Sequence, residues 1–313
     1  MDFDEFFNST NYEYKVVKGI LRVPYTLQFE KTFPYLFQIE NLVWQMGPIF
    51  IFSLVGWVFL LRTAFRKKDK KLFLLLSFPY FYFLYVGSWY AKFIRYMSPL
   101  LPFLIIFASF FIFFLLRLSK KLGIIVLIFS LISQVFWGLA FFSIYQKEDT
   151  RISASKWIYK NIPYHSKILT EFWDTKLPLR LEKKTPGFYK RESLDLYGPD
   201  DQKKFFYLSK TLSNGDYLII SSKRLYGTFM KLPEKYPLTS IYYKLLFEEK
   251  LGYKKIKEFA SYPEIFGIKI IDDSAEETFK VFDHPKVIIF KNIKKFSQEK
   301  IKKILEDYVN DIK

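Results

Sequence analysis

The segment Trp89-Tyr90-Ala91-Lys92-Phe93-Ile94-Arg95-Tyr96-Met97-Ser98-Pro99 holds the residues best suited to chemistry. A guanidinium presents a planar fork of donors that matches a phosphate, and Lys92 close by adds a second positive charge. Trp89, Tyr90 and Tyr96 are residue types that settle at the headgroup level of a bilayer. Two readings stand side by side: an anion site at a membrane surface, and an aromatic belt with snorkelling cations.

Carboxylates that could act beside such a cation are Asp2, Asp4, Glu5, Glu13, Glu30 and Glu40. Displacement at a sugar carbon needs one carboxylate to take the acceptor's proton, and the spacing singles out none of them. Solvated loop charge is the alternative for each. Glu171, Trp173 and Asp174 follow an expected strand, where α/β proteins often place ligand contacts, although a surface turn is the favoured reading. Asp283-His284-Pro285 reads as a turn with no nucleophile beside it.

These residues are positioned by four nearly uncharged apolar runs at 47–61, 72–91, 99–116 and 122–145, followed by a polar tail. A run of about 20 apolar residues is what a helix needs to cross the hydrocarbon layer, because backbone groups in lipid must bond within their own segment. The expected architecture is a membrane all-α bundle of about four transmembrane helices followed by a small extracytoplasmic α/β domain. Its parts are an N-terminal segment at 1–43 without a hydrophobic helix, a transmembrane region at 44–146 and a soluble domain at 147–313.

Arg62, Arg66, Lys67, Lys68, Lys70 and Lys71 lie between the first two helices, and Arg117, Lys120 and Lys121 between the last two. Short basic loops stay cytoplasmic, so both termini and the loop carrying Lys92 and Arg95 are expected on the extracytoplasmic face. Met1–Phe7 carries Asp2, Asp4 and Glu5 where a secretory signal needs a basic start. Asn8-Ser9-Thr10 is a glycosylation sequon on that face, a weak three-residue match.

In the tail, periodicity predicts helices over 152–161, 202–213, 238–250 and 297–312, the last capped by Ser297 with Lys300 exposed. Strands are expected at 167–170, 216–222, 254–259 and 281–290. No GxGxxG follows a strand, so no nucleotide site is inferred.

The 313 residues carry a net charge of +17, spread over both halves. There is neither a basic recognition helix nor a basic–aromatic RNA motif, so nucleic acid is not an expected partner. The chain has no cysteine, which excludes thiol catalysis and thiolate-bound metal. With His165 and His284 alone, a divalent cation would have to rely on scattered carboxylates, and no cofactor signature is evident. A transporter is disfavoured because no helix carries an intramembrane acid.

The runs Val23-Pro24-Tyr25-Thr26-Leu27-Gln28-Phe29 and Pro34-Tyr35-Leu36-Phe37-Gln38-Ile39-Glu40-Asn41-Leu42-Val43-Trp44 resemble the later part of polytopic glycosyltransferases of the protein-mannosyltransferase and aminoarabinose-transferase type, the GT-C class. Arg95-Tyr96-Met97-Ser98-Pro99-Leu100-Leu101-Pro102 is similar to that family's pattern at the outer end of a late membrane helix. Ser155-Lys156-Trp157-Ile158, Asn161-Ile162-Pro163, Glu171-Phe172-Trp173-Asp174 and Asp283-His284-Pro285-Lys286-Val287 look like its extracytoplasmic tail. The resemblance implies a polyprenyl-phosphate sugar donor whose lipid phosphate meets Arg95, supported by Lys92 and Tyr96. It also implies that the family's catalytic acid lies upstream of the part seen here. The chain would then be the C-terminal portion of a hexosyltransferase that needs an N-terminal catalytic half. The competing expectation is a non-catalytic membrane-anchored α/β domain that binds a protein or glycan partner.

Overall fold

The computed structural model describes residues 3–310, so Asp2 and the end of the helix expected over 297–312 lie outside the described residues. The chain forms two compact units. One takes in the chain up to Ile144 together with Tyr262–Phe279; the other takes in Tyr145–Ser261 and the chain from Lys280 onward. The stretch 262–279, expected within the soluble domain, therefore belongs to the helical unit.

The helical unit comprises α1 (Phe3–Val17), a 3-10 segment at Pro24–Phe29, α2 (Leu36–Met46), α3 (Ile49–Lys67), α4 (Lys70–Gly87), a second 3-10 segment at Ile94–Leu100, α5 (Leu101–Leu118) and α6 (Lys120–Tyr145). Its turns are short for local reasons. Lys68 adopts the left-handed conformation after α3, and the Asp69 carboxylate accepts from the Lys71 amide at 2.9 Å and the Leu72 amide at 3.4 Å, capping α4. Ser119 alone separates α5 from α6. Helices α1 and α2 form within the N-terminal segment, and α2 presents Ile39, Leu42 and Met46 at helical spacing.

Helices α3 and α5 form the central seam. Ser53, Gly56, Leu60 and Ala64 recur every three or four residues on α3 and are buried, as are Leu104, Phe107, Ala108, Ile112 and Leu115 on α5. Small residues let two backbones approach where lipid supplies no hydrophobic drive for association. Among the described residues, three helical stretches are long and apolar enough to cross a membrane: α3, the stretch ending in α5, and the stretch containing α6. Helix α4, the second of the four expected spans, is not among them; its 18 residues include Lys70, Lys71, Tyr80, Tyr82 and Tyr85.

The second unit begins with α7 (Thr150–Asn161), β1 (Lys167–Glu171), β2 (Lys190–Leu194), α8 (Gln202–Asn214), β3 (Tyr217–Ile220), the short α9 (Tyr226–Phe229), α10 (Pro237–Phe247) and β4 (Tyr253–Phe259). The chain then crosses into the helical unit for the hairpin β5 (Glu264–Ile265) and β6 (Ile268–Lys269). It returns through the short α11 (Glu277–Lys280) to β7 (Val287–Asn292) and α12 (Gln298–Asn310). The sheet order is β2-β1-β3-β7-β4; β1 is parallel to β2 and β3, and β7 is antiparallel to both neighbours. Ile158 and Ile168 pack with Ile219, Val287 and Ile289 in one core layer. Ser297 accepts from the Lys300 amide at 3.3 Å, the expected cap. The strand expected over 281–290 starts only at Val287, because the His284 amide closes a turn onto the Lys280 carbonyl at 2.9 Å.

Candidate functional site

The segment carrying Arg95 is held by side chains that bond its backbone. On α2, Gln38, Asn41 and Gln45 line up at successive turns. The Asn41 amide donates to the Lys92 carbonyl at 2.9 Å and to Gln38 Oε1 at 3.0 Å, and the Gln45 amide donates to the Ile94 carbonyl. From α4, the Tyr82 hydroxyl donates to the Tyr96 carbonyl at 2.8 Å. The Ala91 amide bonds the Val17 carbonyl at 3.1 Å. From the returning stretch, Glu276 Oε2 accepts from the Ile94 amide at 3.3 Å. Five backbone groups in a stretch of six residues are thus fixed by elements from distant parts of the sequence, which rigidifies a loop that local propensity alone would leave loose.

This frame sorts the three expected site residues into different environments. The Arg95 side chain is exposed, its guanidinium 4.3 Å from the Phe93 ring centroid and 5.3 Å from that of Tyr96. Tyr96 is half-buried, edge-on to Trp89 and Phe93. Lys92 is turned inward and only 2% exposed; its ammonium donates to the Tyr90 carbonyl at 2.9 Å and lies 6.0 Å from the Phe29 ring. Burial lowers its pKa to about 8. Among the described residues the ammonium bonds that one carbonyl, and the buried Gln38 Nε2 has no acceptor. Glu276 is buried and has one unbonded oxygen, and desolvation raises its pKa. Glu13 and Glu276 are carboxylates whose charge reaches the Tyr96 hydroxyl.

An apolar groove of about 350 Å³ adjoins this segment, lined among others by Ile39 and Leu42 of α2, Leu54 and Trp57 of α3, Phe83 of α4 and Leu100. Leu100 closes the 3-10 turn that begins at Ile94, so groove wall and cationic segment are one continuous piece of backbone.

In the second unit, Glu171, Trp173 and Asp174 do gather, with partners that the sequence did not point to. Glu171, at the end of β1, is 1% exposed and accepts from the Tyr243 hydroxyl, while its Oε2 has no donor. Asp174 accepts from the Ser222 hydroxyl just past β3. Trp173 is exposed, 6.3 Å from the Tyr197 ring that follows β2. The carboxyl ends of β1, β2 and β3 therefore meet where the strand order reverses, the chain running from β1 out to β2 and then back past β1 to β3, the usual place for a crevice in such sheets. Tyr243 was hidden as one apolar letter within the α10 run.

Burial, and secondarily the charge of Asp174, holds the Glu171 carboxyl well above its usual pKa. A raised pKa means that folding favours the protonated form, so this contribution is complete below the unfolded value and is lost as pH rises through the folded one. Glu171→Gln keeps an acceptor for Tyr243 and removes the titration. Its thermal midpoint is expected to match wild type near pH 4 and to exceed it increasingly as pH rises, and parallel pH–midpoint curves would contradict this assignment.

Asp4, Glu5, Glu13 and Glu40 are exposed, and Glu30 pairs with Arg22 at 2.6 Å. Around Asp283-His284-Pro285, the Thr150 hydroxyl donates to the Pro285 carbonyl at 2.6 Å and the Arg151 guanidinium to the Phe282 carbonyl at 2.7 Å, tying this turn to the start of α7. Among the described residues no group of three or more carboxylate or histidine side chains is placed to hold a metal ion. Comparison with known protein families, with curated proteins and with solved structures finds no match.

Proposed function

We propose that this chain is the lipid-donor-binding portion of a membrane glycosyltransferase that uses a polyprenyl-phosphate sugar. The observation that carries the reading is the continuity of the apolar groove with the Ile94–Leu100 turn, on which Arg95 is exposed. An isoprenoid chain suits the groove, and a phosphate at its end suits Arg95. Lys92 contributes charge from beneath and Tyr96 braces the guanidinium.

In this proposal α4 also spans the membrane, as the second of four spans. The basic turns after α3 and α5 face the cytoplasm, and Arg95, both termini and the α/β unit lie on the extracytoplasmic side. By the resemblance described above, the acid that activates the acceptor belongs to an N-terminal half, so sugar transfer is expected only when that half is supplied. Exposed Phe172 and Trp173 at the strand ends favour a second reading, a membrane-anchored domain that recognises a glycan or protein.

The test is titration of the purified chain in detergent with polyprenyl-phosphate sugar, polyprenol and the soluble sugar phosphate. Saturable binding of the first, with both truncated probes at least tenfold weaker, is expected; Leu54→Trp, which fills the groove, should weaken the lipid probe selectively. Equal affinity for polyprenol would remove the phosphate from the site, and no binding at all would favour the second reading.

A further inference from the structure

We infer that the β5–β6 hairpin, which arises from the otherwise polar tail, is immersed in the acyl chains of the bilayer leaflet at the C-terminal end of α6. The strands pair Glu264 with Lys269 and Ile265 with Ile268 across the two-residue turn Phe266-Gly267, whose φ values of 50° and 80° are those of a tight hairpin. The tip therefore consists of four uncharged residues, with both charges at its mouth. Phe266 is 85% exposed, Ile268 70% and Ile271 58%. Two such exposed side chains on so short a hairpin, with a third just past its mouth, are costly in water and favourable in lipid.

The depth follows from α6. The Glu264 amide donates to Ser143 Oγ at 3.0 Å, which sets the hairpin mouth near the end of that helix. The Phe266 ring meets the Phe136 ring at 5.9 Å. Phe136 is seven positions before Ser143, about 10 Å along a helix that rises about 1.5 Å per residue. Helix α6 has 26 residues, and a hydrocarbon core about 30 Å thick takes up roughly 20 of them. Whichever 20 consecutive residues span the core, positions 126–139 fall inside it, so Phe136 and the ring beside it are in hydrocarbon.

The chemistry of the segment changes with depth as a lipid interface requires. Glu264 and Lys269 sit level with the helix end, and only apolar side chains go deeper. Backbone groups are paired within the hairpin, and the Ile270 amide bonds the Pro263 carbonyl at 2.9 Å, which limits the penalty that unpaired amides incur in lipid. Behind the hairpin, Phe279 packs on Phe141 of α6 at 5.3 Å and on Trp44 of α2 at 5.9 Å, so the returning stretch is braced against the bundle at both ends. The inserted hairpin is thus a second membrane attachment for the stretch whose Glu276 bonds the backbone beside Arg95.

Because the chain contains no cysteine, a single introduced thiol reports one position without background. The full chain carrying Phe266→Cys or Ile268→Cys, labelled with nitrobenzoxadiazole, is reconstituted in phosphatidylcholine vesicles with or without lipids bearing a doxyl quencher on the acyl chain. Phe136→Cys serves as the immersed reference and Tyr164→Cys, at an exposed site of the α/β unit, as the aqueous one. Quenching by doxyl lipid at 266 and 268 within about twofold of that at 136, with little at 164, is expected. Quenching by aqueous iodide but not by doxyl lipid would overturn the inference, as would protection from both, which would mean that protein covers the hairpin.

Discussion

Arg95→Ala is expected to weaken binding of polyprenyl-phosphate sugar by about 10- to 150-fold, the equivalent of the 1.5–3 kcal/mol typical of a hydrogen bond to a charged group. The side chain is exposed and stacks on Phe93 and Tyr96 without a carboxylate partner among the described residues, so its removal sacrifices little of the fold. An exposed cation–ring contact contributes roughly 0.5–1 kcal/mol, which bounds the expected loss of stability. Arg95→Lys keeps the charge but loses the planar fork and should fall between the two. Raising salt should erode wild-type affinity more than that of the alanine variant, because the missing term is electrostatic. If Arg95→Ala bound the donor as tightly as wild type, the phosphate would have to sit elsewhere and the proposed site would be wrong.

Gly56→Ala is expected to destabilise the helical unit by about 3 kcal/mol, the upper end of the range for overpacking, and to abolish donor binding with it. A methyl group at Gly56 would stand 1.8 Å from the Phe107 carbonyl oxygen and 2.5 Å from its carbon. Both are backbone atoms of the facing helix, so no side-chain rotation relieves the clash and α3 must move away from α5. The same displacement would pull Leu54 and Trp57 from Leu104 and Phe107, the opposite walls of the groove. Gly138 on α6 supplies the control, since a methyl group there meets nothing within 4 Å and glycine is the poorer helix former. Thermal unfolding in detergent should separate the two alanine variants clearly. An unchanged midpoint for Gly56→Ala would show that α3 and α5 are not in backbone contact.

Much of the architecture was legible because it depends on local composition. Nearly uncharged apolar runs mark α3, α5 and α6; the basic cluster from Arg62 to Lys71 marks the break before α4, and Ser297 the start of α12. Strand β2 escaped because Lys190-Arg191-Glu192-Ser193-Leu194 is an edge strand with only Leu194 buried, so it carries no apolar pattern. The amide row Gln38, Asn41 and Gln45 was harder to read, since polar residues at helical spacing look like a solvated face until the carbonyls they serve are in view. The same holds for Glu171, which reads as turn charge until Tyr243, 72 positions away, closes over it.

The amino-acid sequence by itself determined that this protein has apolar helices joined by short basic turns and followed by an α/β region. That much follows from period, length and charge within a few turns of chain, which hydrocarbon and water read directly. Only the tertiary structure decided that Arg95 faces outward while Lys92 is turned in, that residues 262–279 leave the α/β unit for the helical one, and that Glu276 reaches the Ile94 amide. Those outcomes depend on the burial and hydrogen-bond partners of single polar groups. Such partners come from chain segments as much as 249 positions apart, so no local pattern can encode them.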